Sequence, residues 1–145
     1  MATNKQVQVE AHLGDRFKIE SRIGNHTLLV DQPKMGRGED ADPTPLEYFF
    51  LSLAGCIATI ARIAAKQQRI NLRAMDVKVS GELNVEGLMG RNPDGHSGFD
   101  GITVTVKMDA DLTKEEKEAF LAEVDRRCPV SDNIHSPTPM TFVVE

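Results

Sequence analysis

Two cysteines, Cys56 and Cys128, are the only thiols in this chain of 145 residues. A thiol turns into a nucleophile by losing its proton, so the surroundings of each sulfur decide whether it reacts or merely packs. Cys56 stands in "LSLAGCIATIARI", residues 51–63, inside the most apolar helical stretch of the chain. The helix dipole does little for a thiolate at mid-helix and burial raises a thiol's pKa, so packing as a small hydrophobe is its ordinary fate. Cys128 stands in "RRCPVSDNI", ending one helix and preceding Pro129, a favoured first residue for a new helical turn through Val130 to Ile134. As N-cap of that turn, with Arg126 and Arg127 adjacent, its thiolate is favoured; the dipole of the preceding helix pushes the other way, and the net sign stays open.

Groups able to serve these sulfurs are few. Ser52 and Thr59 share the helical face of Cys56, but neither is a base. Glu47 falls about 180° round the helix from Cys56 and reads first as the acid of a helix cap, second as a catalytic partner. An activating charge must therefore come from another segment: Arg22, Arg37, His26 or His135. Neither cysteine has a histidine at metal-ligand spacing and the glycines match no phosphate-binding pattern, so no metal and no cofactor is expected.

The elements that position these residues can be read in order. Val7, Val9, Ala11 and Leu13, then Phe17, Ile19 and Ile23, then Leu28 and Val30, alternate with polar residues, the period of half-buried strands, with Gly24-Asn25 as a hairpin turn. Residues 32–43, "QPKMGRGEDADP", read as a solvated loop. Thr44, Pro45 and Glu47 then supply an N-cap, a first-turn proline and a capping-box acid for a helix to about Gln68. It is apolar nearly all round. Glu47, Ser52, Thr59 and Arg62 interrupt the run too often for a membrane span of roughly 20 residues, so burial within protein is expected. A helix on the order of 35 Å long cannot be sheathed by one small sheet, and a second subunit is expected to cover it as a homodimer.

Two strands around Val77–Val85 and Ile102–Met108 follow, joined by a glycine-rich loop. An amphipathic helix capped by Thr113 and Glu116 comes next and stops at Pro129, and "MTFVVE" is expected to close the chain as a strand. The predicted class is α+β, in the order βββ-α-ββ-α-β, as a single domain over residues 1–145.

Bulk properties narrow the function. A net charge of -5 with no basic run argues against nucleic acid as a partner. The N-terminus "MATNKQVQVEAH" lacks the pattern of a secretory signal, so a cytoplasmic location with reduced cysteines is expected.

"PTPLEYFFLSLAGCIATI" and "CPVSDNI", together with the order of elements, resemble the OsmC/Ohr family of osmotically inducible and organic-hydroperoxide-resistance proteins over nearly the whole chain. The resemblance implies an intertwined homodimer, with curved antiparallel sheets wrapped around long central helices. It further implies a peroxidase for organic hydroperoxides, with Cys56 as the peroxidatic thiol, Cys128 as the resolving thiol, and a small dithiol or lipoyl group as reductant. In the family's peroxidases an acid directly after the proline pairs with an activating arginine. Here that position is Leu46, the acid is Glu47, and the arginine corresponds to Arg22 or Arg37. The alternative reading is a non-catalytic dimeric protein that binds a small ligand or senses oxidants.

Overall fold

The computed structural model describes residues 2–145, in two compact units that divide between Phe49 and Phe50. The first is an antiparallel meander of β1 (Glu10–Leu13), β2 (Ile19–Ile23) and β3 (His26–Val30). Ile23 pairs with His26 across the Gly24-Asn25 turn, where Gly24 takes the positive φ of 58° that glycine tolerates without a Cβ clash. One side of this sheet forms an apolar hollow of about 360 Å³ lined by Ala11, Ile19, Ile23, Leu28 and Val30. Tyr48 donates its hydroxyl to the Leu29 carbonyl at 2.8 Å.

The segment after β3 is more ordered than its composition suggests. A 3-10 turn spans Lys34–Gly36. Asp31, only 1% exposed, accepts the backbone N–H of Gln32, Glu39 and Ala41. A side chain at Gly38 would collide with the Gln32 carbonyl, so the chain folds back on itself only because that residue is glycine.

Helix α1 runs Pro45–Gln67 and begins as its sequence predicts: Glu47 N–H donates to Thr44 Oγ1 at 3.2 Å, and Thr44 N–H to Glu47 Oε1 at 2.9 Å. Its first turn belongs to the first unit and the rest to the second. By length and composition it could cross a membrane, but Leu53, Ile57, Ala61, Ala64 and Ala65 form a stripe buried in the core of the second unit. The single chain leaves other apolar positions uncovered, Leu51 at 63% exposure among them.

In the second unit β4 (Leu72–Leu83) and β5 (Phe99–Ala110) form a long antiparallel ribbon, registered Leu72 to Ala110 and Val79 to Val104. The loop between them contains a one-turn helix, α2 (Val85–Leu88), which the composition does not announce. Helix α3 (Lys114–Arg127) starts at the expected Thr113/Glu116 capping box and sends Phe120 and Val124 into the core beside Met108 and Leu72. A separate two-turn helix, α4 (Pro129–His135), follows.

The expected closing strand is corrected. Residues 137–145 form no strand, and Phe142 and Val144 stand 87% and 96% exposed. An alternating pattern marks a strand only where another edge supplies the ladder hydrogen bonds, and this segment has none among the described residues of the single chain.

Candidate active site

Cys56 is carried by α1 on the turn that buries Leu53 and Ile57, half-buried and packed against the core. Thr59, on the following turn, donates its hydroxyl to the Gly55 carbonyl at 2.8 Å. Cys128 sits where two helices meet: it ends α3 and caps α4, its extended backbone (φ −81°, ψ 114°) turning the chain between them. Pro129 occupies the first position of α4, and the Ser131 backbone N–H donates to Cys128 Sγ at 3.5 Å. Cys128 is fully buried.

The fold brings the two sulfurs together. Both thiols are free, and Cys56 is near enough to Cys128 to influence its thiol. Burial is the chief reason the Cys128 thiol is held above its usual pKa, reinforced by the neighbouring Cys56. The N–H groups of Ser131 and Val130 pull the other way without overcoming burial, which settles the sign that the sequence leaves open. Of the two thiols, Cys128 is the buried one and Cys56 the more accessible to a reagent.

The charged residues divide as follows. Arg127 does not serve Cys128: its guanidinium donates to Gln67 Oε1 at 2.8 Å and lies 3.9 Å from Glu123. His135, on α4, places Nε2 3.3 Å from Asp125 Oδ2, while Ser131 Oγ donates to Asp125 Oδ1. Neither Asp125 nor Ser131 stands out in the sequence; the only signal is their placement three residues before and three after Cys128. Beside them opens a cavity of about 330 Å³, walled by Leu53, Ile57, Val104, Val106 and Leu121.

In the first unit Arg22 lies in the central strand, in register with Glu10 and Thr27. Arg37 takes a left-handed conformation at the end of the 3-10 turn and lines a polar hollow of about 490 Å³ with Arg16, Lys18 and Asp31. His26 pairs through its backbone with Ile23. Glu47 is held in its cap, where the Thr44 N–H and hydroxyl keep its carboxyl below the usual range.

The family model for OsmC-like protein matches residues 38–143, a span containing both cysteines. This chain belongs to the OsmC-like family. Solved structures agree on the α+β fold. The OsmC-like protein of Mycoplasma pneumoniae superposes with a TM-score of 0.80 at 19% identity, covering 93% of this chain and 91% of that one. An organic hydroperoxide resistance protein from Legionella pneumophila gives 0.70 at 23% identity, covering 92% and 91%. Another, from Elizabethkingia anophelis, gives 0.65 at 20% identity, covering 94% and 93%. No curated protein matches the sequence of this OsmC-like chain.

Proposed function

We propose that this OsmC-like protein is a thiol peroxidase that reduces organic hydroperoxides. The observation supporting the reading is that Cys56 and Cys128, remote in sequence, are neighbours in the fold as free thiols. The Cys56 thiolate attacks the terminal oxygen of ROOH; the O–O bond breaks, the sulfur becomes a sulfenic acid, and the alkoxide leaves with a proton as ROH. Cys128 sulfur then attacks the Cys56 sulfenic sulfur, the S–S bond forms as the S–O bond breaks, and water carries away hydroxide with the Cys128 proton. A small dithiol, such as a lipoyl group, takes over the disulfide by exchange and returns both thiols. Apolar packing around Cys56 suits an organic rather than an inorganic peroxide. The activating cation is Arg22 or Arg37, with Glu47 as its acidic partner, and the setting is the reducing cytoplasm.

The working form proposed is a homodimer of intertwined subunits. It is supported by the apolar surface that a single chain leaves uncovered on α1 and on residues 140–144.

A second reading, a non-catalytic oxidant sensor or small-ligand-binding dimer, is favoured by the engagement of Glu47 in its helix cap. Free-thiol titration before and after one equivalent of cumene hydroperoxide, followed by turnover with dihydrolipoamide, separates the two. Loss of two thiols with repeated turnover supports the peroxidase; an unchanged count defeats it, and a disulfide formed without turnover favours the sensor.

A further inference from the structure

Helix α4 has only seven residues, too few to be stable alone, yet its first turn holds the Cys128 sulfur. Among the described residues, its contacts with the rest of the unit include Val130 against the core, the Thr138 hydroxyl on Asn133 and one carboxylate. Asp125, near the end of α3, accepts from the Ser131 hydroxyl through Oδ1 and meets His135 Nε2 at 3.3 Å through Oδ2. Ser131 and His135 are one turn apart and share a face of α4, so a single side chain clamps that face to α3. Ser131 is buried, and its own backbone N–H donates to Cys128 Sγ at 3.5 Å. Any shift of Ser131 therefore moves the donor that fixes the sulfur.

We propose that Asp125, acting through Ser131 and braced by His135, is a positioning residue that holds Cys128 in line for disulfide formation with Cys56. The inference rests on the reading of the two cysteines as a redox pair and adds what sets the speed of its second step. In that step Cys128 sulfur must approach the Cys56 sulfenic sulfur opposite the departing oxygen, so that S–S forms while S–O breaks and water leaves. A displacement of the attacking atom by about 1 Å costs up to 10²-fold in rate. The clamp works by hydrogen-bond geometry. Asparagine at position 125 can still accept from Ser131 through its oxygen and donate to a neutral His135 through its amide.

The test measures two rates separately in the full-length protein: first oxidation of Cys56 by cumene hydroperoxide, followed by sulfenic-acid trapping, and subsequent disulfide formation by mass. In Asp125→Leu the disulfide step should slow about tenfold, with the first oxidation within twofold of wild type. Asp125→Asn should restore the disulfide step to within twofold, and the exposed His135→Ala should slow it two- to threefold. Circular dichroism and melting of each variant show that it is folded; should Asp125→Leu not fold, the His135→Ala rate decides. Wild-type disulfide formation in Asp125→Leu, or an asparagine variant as slow as the leucine variant, overturns the proposal. If cumene hydroperoxide oxidises no thiol even in wild type, the peroxidase reading fails by itself. Diamide, which couples two thiols without a peroxide, then tests the clamp through the same order of rates.

Discussion

The Ser131 backbone N–H points at the Cys128 sulfur at 3.5 Å, so the first turn of α4 and the residue that caps it are held as one unit. With Cys56 as the next neighbour of that sulfur, the thiols lie in a chain of contacts drawn from α1, α3 and α4.

Replacing either sulfur should give distinct outcomes. Cys56→Ser should abolish peroxide-dependent thiol loss altogether. Cys128→Ser should permit one oxidation and then drift to sulfinic and sulfonic acid, because no partner thiol captures the sulfenic acid. Intact-protein mass after stepwise additions of hydroperoxide reads both.

The activating cation can be found by single substitutions. Whichever of Arg22→Ala and Arg37→Ala removes it should lower the second-order rate of Cys56 oxidation at least about tenfold, as expected when a thiolate loses a charge partner worth more than 1.4 kcal/mol. The other should leave that rate within twofold. Two silent variants would remove both arginines from the mechanism.

Asp31 should make the first unit sensitive to acid. Its carboxyl is held below the usual range chiefly by the Gln32 N–H, with Ala41, Glu39 and the Lys18 charge adding to it, against the opposing effect of burial. A depressed folded pKa contributes stability that is fully present above the unfolded value of about 3.9 and lost as pH falls through the folded one. Amide exchange at Glu39 and Ala41 should therefore accelerate below about pH 4 relative to the intrinsic rate. Asp31→Asn should show faster exchange at neutral pH and a flatter pH response.

Helix α3 supplies two stability tests of different origin. Phe120→Ala should cost about 3–5 kcal/mol, since the ring is buried beside Val124 and its loss leaves a void. Thr113→Ala should cost about 1 kcal/mol by removing one half of the capping box. Denaturant midpoints at fixed protein concentration compare the two, and a Thr113 effect as large as that of Phe120 would contradict this ordering.

Residues 140–144 should matter to assembly. Sedimentation of the full chain should give a dimer, and a chain ending at Ser136 should shift toward monomer or aggregate. A full-length chain that sediments as a monomer would remove the homodimer from the functional reading.

Much of the fold was legible in the residues because it depends on near neighbours. The Thr44/Glu47 and Thr113/Glu116 caps, the Gly24 turn and the alternation in β4 and β5 each involve interactions within a few positions, and the structure contains all of them. Other features depend on contacts that no local pattern contains. The order of the 31–41 segment comes from one buried carboxylate gathering the N–H groups of Gln32, Glu39 and Ala41, which composition does not encode. The final strand was expected from alternation alone, yet a strand also needs a second edge, which the single chain does not provide there.

By itself, then, the sequence determined where α1 and α3 start and that α1 is apolar enough to need burial, consequences of local sterics and periodicity, and it offered the two sulfurs as candidates for chemistry. Only the tertiary structure decided that those sulfurs are neighbours, that Cys128 is the buried member with its thiol pKa raised by that burial, and that Asp125 reaches across the Pro129 junction to Ser131 and His135. Contacts between residues remote in the chain are set by how whole elements pack, and no periodicity of the separate segments contains that information.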